Sequence, residues 1–448
     1  MSVAVRIVDV QLGEETFRYR TPIKFGGVAV DRATLLNAHV VIEDKQGRQQ
    51  VGFGSMPLGN VWAFPTTQLT YDQTLQLMQE LAEDAAHIAR THKLWGHPLE
   101  LHEVLEPAWL QAARLRSETL PVKIPDLTTL VATSPIDAAI HDAYGKLHGR
   151  SSYECYGADF LHRDVGSFLG KEFAGVWISD HITTNPVASL PLYHLVGALD
   201  ALTPAEVITN GKSDQYPQHL ADWIRRDLLT HLKIKLNGDD LAWDVNRVIQ
   251  VNHVAENLQH ERETTEWHYS LDFNERCQSV GYLLEFIQRL KSKSAQAWSR
   301  VQYIEQPTAR NLKAHPENKM HEVSKLVPVV IDESLVDLES LQLAREQGYT
   351  GAALKACKGQ SASLLMACAV RHYGMFLCVQ DLTCPGASLI HSAGLAAHVK
   401  GVAAIEANAR QYLPAANERW KRSYPGLFEP VDGRLLTGQL KGLGLSVL

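Results

Sequence analysis

From about residue 190 the chain repeats one pattern eight times: a short apolar run, then a stretch with helical spacing. The runs are Pro191–Val196, Leu232–Leu236, Trp267–Leu271, Val301–Ile304, Pro328–Ile331, Gly351–Leu354, Met375–Val379 and Val402–Ile405. They are separated by roughly 20–40 residues, the size of a strand–helix unit. Eight such units predict an α/β chain whose parallel sheet closes into a (β/α)8 barrel, spanning residues 190–410.

The preceding part has another texture. Val3–Val10 and Leu36–Ile42 read as antiparallel strands, and Tyr71–Leu94 as a helix. Ser134-Pro135 is expected to open a second helix, with Ser134 as N-cap, Pro135 in the first turn and Asp137 near the positive end. Its apolar face is Ile136, Ala139, Ile140, Ala143, Tyr144 and Leu147; Gly145 and Gly149 allow close packing and a stop. Residues 1–150 are thus an α+β domain. The tail, residues 411–448, is turn-rich (Pro414, Pro425, Pro430, Gly433, Gly438) and is expected to return to that first domain.

Charge and cysteines narrow the function class. A net charge of −7 offers no basic surplus for nucleic acid, so a small anionic substrate needs a local positive centre. The six cysteines (Cys155, Cys277, Cys357, Cys368, Cys378, Cys384) form no C-x-x-C pair and read as reduced thiols. The first residues read as a strand rather than a signal peptide. No apolar run reaches the roughly 20 residues that span a bilayer. The expectation is a soluble cytoplasmic protein without nucleic-acid or membrane partners; a homo-oligomer is left open.

Polar residues cluster where the apolar runs end: Lys233 and Lys235, Asp272 and Asn274, Glu305, Asp332 and Glu333, Lys355. Strand ends of a barrel converge on one face, so these groups share a mouth. In Lys233-Ile234-Lys235, alternation puts both lysines on one side, about 6–7 Å apart. Two cations inside a barrel are costly unless they meet an anion. Asp272, Glu305 and Asp332 come from three consecutive runs. Three oxygen donors without His or Cys suit a hard cation such as Mg2+ rather than zinc. The alternative is a set of ion pairs with the lysines.

Lys-x-Lys, Asp-x-Asn, Glu-Gln-Pro, Asp-Glu-Ser and Leu-Lys-x-x-Lys on successive runs resemble the enolase superfamily, more narrowly its muconate-lactonizing branch within the mandelate racemase/muconate lactonizing enzyme family. The resemblance implies a capping domain over residues 1–150, with covering loops at Thr21–Ala29 and Gly52–Trp62. It implies Asp272, Glu305 and Asp332 as Mg2+ ligands. Lys235 and Lys355 become acid/base groups on opposite faces of the substrate. Lys233 steadies the carboxylate and the developing enolate, Asn274 and Glu333 stand behind the metal ligands, and Lys358 is either a supporting charge or a surface lysine. Phe53, Trp62 and Phe64 are candidates to line an apolar substrate pocket.

The chemistry implied is removal of the proton next to a small carboxylate. The conjugate base is a dianion, which a divalent cation and ammonium groups stabilise. Lys233 and the metal are expected to disfavour the charged form of Lys235, fitting it as a base. Two lysines flanking one carbon suit a racemase or epimerase; elimination or cycloisomerisation on the same enolate, or a non-catalytic barrel, are the alternatives. Some positions depart from relatives. Val379-Gln380-Asp381 carries no histidine, which disfavours the mandelate-racemase mechanism. His391, ten residues on, is expected in a helix or loop. Glu406-Ala407-Asn408 stands where dipeptide epimerases have Asp-x-Asp, leaving Asp381 and Glu406 as candidate substrate contacts. Gly359-Gln360 replaces the usual Gly-Gly, and extra residues fall near Asn252–Trp267 and Thr308–His321.

Overall fold

The computed structural model describes residues 3–25, 28–207 and 215–447. Strands β1 (Val5–Phe25), β2 (Val28–Asp44) and β3 (Gln49–Pro57) form an antiparallel sheet. Its apolar face, with Val5, Val10, Ala38, Val40 and Ile42, packs on Ile136, Ala139, Ile140 and Tyr144 of the helix Asp126–Leu147. Gly52 and Gly54 let β3 lie against that helix, because a Cβ at either would collide with the carbonyls of Ala139 and Pro135. The helices Tyr71–Thr91 and Pro98–Ser117 complete this domain.

The helix expected to open at Ser134 in fact begins at Asp126 and runs through Pro135. Pro135 has no N–H to give to the Val131 carbonyl four residues back. The Ser134 hydroxyl supplies that bond instead, at 2.9 Å. Ser134 therefore bridges a gap inside a helix that is buried on nearly every side, and is not its N-cap.

Eight parallel strands close the barrel: β4 (Leu190–Val196), β5 (His231–Lys235), β6 (His268–Asp272), β7 (Val301–Glu305), β8 (Val329–Ile331), β9 (Gly351–Leu354), β10 (Phe376–Val379) and β11 (Ile405–Glu406). β11 pairs with β4 to seal the ring, and the short β12 (Arg434–Leu435) adds antiparallel to the start of β4. β11 is shorter than its apolar run. Upstream of it, the ladder continues as separate bonds from Ala403 N to the Leu377 carbonyl and from Val379 N to the Ala404 carbonyl. Near the end of the chain, Leu445 N donates to Asp142 and Ser152 N to the Gly444 carbonyl, tying the tail to the first domain.

All six cysteines are free and buried. No described helix is long and apolar enough to cross a membrane. The segment Thr21–Ala29 is formed by the ends of β1 and β2, with Gly26 and Gly27 outside the described residues. Asn252–Trp267 completes the helix Leu241–Glu261 and the turn after it.

Candidate active site

Alternation along the barrel strands sorts interior side chains into two layers. Tyr193, Tyr303, Val330, Ala353, Cys378 and Ala404 pack into one apolar plug. Two residues further on, the same strand faces present Leu195, Glu305, Asp332, Lys355, Gln380 and Glu406. Lys235 and Asp272 join this upper row, in register with one another and with Glu305.

Lys233 lies at the centre and is 1% exposed. Its Nζ reaches Gln380 Oε1 at 2.7 Å, Glu305 Oε1 at 2.8 Å, and both Asp272 Oδ2 and Glu406 Oε2 at 3.1 Å. Burial alone lowers the pKa of this ammonium. Glu305, Glu406 and Asp272 outweigh that and hold it well above its ordinary value. Lys233 is thus a fixed cation.

The two candidate acid/base lysines are placed differently. Lys235 Nζ sits 2.5 Å from Asp272 Oδ2. Asp272 Oδ1 accepts the backbone N–H of Asn274, whose φ of 46° is left-handed. Lys355 Nζ lies 2.7 Å from Asp332 Oδ2 and 4.1 Å from the centre of the Trp62 ring. Lys358 stands behind it, donating to the Asp332 carbonyl at 2.5 Å and lying 3.3 Å from Oδ1. It is buried, so the surface alternative for Lys358 is set aside.

Trp62 comes from the first domain. Its Nε1 donates to Glu333 Oε1 at 2.9 Å, and its carbonyl accepts from Arg310 Nη1 at 3.0 Å. Arg310, in the loop that follows β7, is also paired with Glu275. Phe64 lines the space next to Trp62, whereas Phe53 sits in β3 against His39 and takes no part. Asp381 accepts backbone N–H groups of Cys384 and Asn408, and Glu406 is shared by Lys233 and the Asn408 amide. Neither acid offers a free pair of oxygens to a substrate amine. His391 is buried within the helix Ala387–His398, as a helix residue.

Two contributors were not assigned roles from sequence. Gln380 accepts from Lys233. Gln306, at a φ of 30°, takes the backbone N–H groups of Asp332 and Ser334 on Oε1 at 3.0 and 3.2 Å, and so sets the Asp332 turn. Residues in sparsely populated backbone conformations gather at functional sites. Asn274, Glu275 and Gln306 form such a group, but their side-chain identity gives no hint of it.

Trp62, Lys233, Lys235, Asn274, Asp332, Glu333, Lys355, Asp381 and Glu406 surround a cavity with about 10 Å³ of free space, room for roughly one water-sized particle. Asp272 and Glu305 are not on its wall but contact the lysines that are. Among the described residues no three His, Cys, Asp or Glu side chains stand close enough, as they lie, to grip one metal ion. The reason is that ammonium groups are interleaved: Lys233 separates Asp272 from Glu305, while Lys355 and Lys358 take Asp332.

The balance of charge nevertheless fits a divalent cation. Six buried carboxyl groups (Asp272, Glu305, Asp332, Glu333, Asp381, Glu406) face four ammonium groups (Lys233, Lys235, Lys355, Lys358), so acids outnumber bases by two. Burial raises the Asp272 and Asp332 carboxyls, but Lys235 with Lys233, and Lys355 with Lys358, bring them below the usual range. Lys233 and Lys355 relieve Glu305 only in part. Burial, then repulsion from Asp272, push it well above the carboxylate range, and its Oε2 is buried without a partner. Glu333 Oε2 is likewise unpartnered, and burial followed by Asp332 pushes that carboxyl up to about 7. Buried carboxylate oxygens without donors are the groups a hard cation satisfies. Asp272, Glu305 and Asp332 could hold it.

Residues 215–448 match the family described as enolase C-terminal domain-like. No curated protein sequence matches the chain. Solved structures share its fold. One is a dipeptide epimerase from Enterococcus faecalis complexed with Mg and L-Leu-L-Tyr (16% identity, 98% of this chain and 99% of that chain covered, TM-score 0.62). Another is an enolase from Pseudomonas fluorescens with bound magnesium, potassium and tartrate (15%, 100% and 90%, TM-score 0.66). A third is an enolase from Bradyrhizobium complexed with magnesium and mandelic acid (17%, 100% and 97%, TM-score 0.60). Family match, closed barrel and antiparallel cap agree: the chain belongs to the enolase superfamily, in its mandelate racemase/muconate lactonizing enzyme-like branch.

Proposed function

We propose that this protein is a Mg2+-dependent enzyme that removes the proton next to the carboxylate of a small acid, and that it acts as a racemase or epimerase. The observation that carries the reading is that Lys235 and Lys355, from β5 and the end of β9, line one small cavity together. Asp272, Glu305 and Asp332 would hold the ion, which supplies Lewis-acid neutralisation of the substrate carboxylate.

The chain's own groups do the rest. Lys233 keeps its proton and presents a fixed positive charge to the acid. One of the two flanking lysines, as neutral amine, takes the α-proton; the other, as ammonium, returns one to the opposite face. Without the ion, Asp272 and Asp332 each pair with one of these amines. Burial lowers the Lys355 pKa, but Asp332 outweighs it and keeps that amine charged; once these acids bind the ion, the amine would be free to act as base. Trp62 covers the Lys355 side and excludes water. The mandelate-bound and dipeptide-bound relatives are consistent with carboxylate ligands for this mouth.

The test is deuterium uptake by a library of chiral carboxylic acids in D2O with Mg2+. The expected result is label in recovered acid of inverted configuration, lost in Lys235→Ala and Lys355→Ala. Full exchange in both variants would remove the two-lysine mechanism; loss of a substituent instead of inversion would make the enzyme a lyase.

A further inference from the structure

Another small cavity lies between the helix Leu220–Asp227 and the C-terminal helix Pro414–Lys421. It has about 10 Å³ of free space, room for roughly one particle, and shares no wall residue with the central cavity. The polar groups on its wall are Tyr216, Arg226, Arg410, Asn417, Lys421 and Glu429; two aromatic rings and two prolines make up the rest. Two of these side chains carry buried donors without an acceptor among the described residues. Asn417 is 1% exposed; its Oδ1 takes the backbone N–H of Gly386 at 2.8 Å, which orients the amide, and its Nδ2 is unpartnered. Arg410 is 6% exposed; Nη1 goes to Asp227 and Nη2 to His194 Nδ1, and Nε is unpartnered. Buried donors are nearly always paired, so these two mark the place of an acceptor.

The local charge says which acceptor. Asp227 serves both Arg410 and Arg226, one carboxylate for two guanidinium groups that stay charged. His194 adds no negative charge: burial, then Arg410, hold its pKa well below the ordinary value, so it is neutral. Burial also lowers the Arg410 pKa; Asp227 opposes this and Arg226 adds to it. Lys421 is matched by Glu418 at 2.6 Å and shares the Tyr216 hydroxyl with it. Glu429 is the one carboxylate on the wall; its side chain is 58% exposed and 3.9 Å from Lys421. A water accepting from both donors would still have two O–H bonds to place. A monatomic anion accepts from both, has none to place and offsets the surplus positive charge.

We infer that Asn417 Nδ2 and Arg410 Nε form a binding site for one halide-sized anion such as chloride, with Arg226 and Lys421 beside it. The site is independent of the reaction proposed above. Its two donors already tie the C-terminal segment to three other parts of the barrel: Arg410 to helix Leu220–Asp227 and to His194 of β4, and Asn417 to Gly386 before the helix Ala387–His398. Leu195, next to His194, lines the central cavity. The anion thus braces the barrel wall beside the reaction centre without touching it.

The test pairs anomalous diffraction at the bromine edge, from crystals of the full chain grown in sodium bromide, with melting curves in sodium bromide, chloride or gluconate at equal ionic strength. The expected result is one bromide peak in contact with Asn417 and Arg410. The melting temperature should also rise by about 1–2 °C, saturably, in both halides and not in gluconate. Asn417→Asp keeps an acceptor for the Gly386 N–H and sets a carboxylate oxygen in place of the Nδ2 donor; it is expected to remove both the peak and the halide-dependent rise. Arg226→Gln, at an exposed position that leaves the core intact, is expected to raise the half-saturating halide concentration about two- to fivefold. No peak at the site, or an unchanged halide response in both variants, overturns the inference. A peak without a halide-specific rise is an adventitious ion only and overturns it as well.

Discussion

The two flanks of the site are built unequally. On one side Lys235 is paired with Asp272, and both belong to the barrel. On the other, Lys355 is held between Asp332 of the barrel and the Trp62 ring of the first domain, with Lys358 buried behind. The Lys355 flank is therefore a product of two domains, and the Lys235 flank of one. Proton transfer on the first-domain side should depend on how the domains sit together, and transfer on the other should not.

The largest effect separates the flanks outright. Lys235→Ala and Lys355→Ala should each lower α-proton exchange of one substrate configuration by about 10²–10⁴-fold, the usual weight of a general acid/base group. The two variants should affect opposite configurations, read by NMR of enantiopure acid in D2O. Lys233→Met acts on both flanks together. It strands Asp272, Glu305 and Glu406 without their shared cation, and should destabilise the Mg2+-free protein by about 3–5 kcal/mol in denaturant unfolding.

Part of this site was legible in the sequence because two periodicities coincide. Apolar runs mark barrel strands, and a two-residue step places Lys233 with Lys235, and Glu305 beyond Tyr303, on the inner face. Identity at the strand ends then gives the chemistry. Other features have no local signature. Ser134-Pro135 carries a good helix-start signal, yet tertiary burial draws the helix eight residues upstream and the serine fills the proline's missing bond. Gln306 acts through its backbone conformation and one carbonyl oxygen, which no residue pattern announces. The Trp62–Glu333 bond joins positions far apart in sequence, and long-range pairing is invisible without the fold. The interleaving of lysines between the acids is also a matter of side-chain geometry that strand register alone does not fix.

A smaller effect sharpens the comparison. Trp62→Ala removes the ring over Lys355 and should slow exchange on that flank by about tenfold, consistent with a desolvated cation–π contact. Exchange through Lys235 should stay within about twofold, so the ratio of the two configurations is the readout.

The smallest concerns the domain contact itself. Asp137, in the first-domain helix, accepts the backbone N–H of Ser361 at 2.8 Å and its hydroxyl at 2.7 Å, at the start of the helix that follows Lys355 and Lys358. His102 lies 3.4 Å from Asp137 and 2.9 Å from Glu106. Burial lowers its pKa, but Glu106 and Asp137 outweigh that and raise it to about 10. A raised folded-state pKa gives stability that is complete below the unfolded value near 6.5 and is lost as pH climbs through about 10. His102→Gln should flatten that alkaline loss, read as a weaker fall of the unfolding free energy between pH 7 and 10.

The central claim is that three acids share one divalent ion between two flanking amines. Anomalous diffraction from crystals grown with Mn2+ tests it without knowledge of the substrate. The account predicts one peak within bonding distance of Asp272, Glu305 and Asp332, with the Lys235 and Lys355 amines turned toward the substrate side. A peak elsewhere, or none at saturating Mn2+, would contradict it.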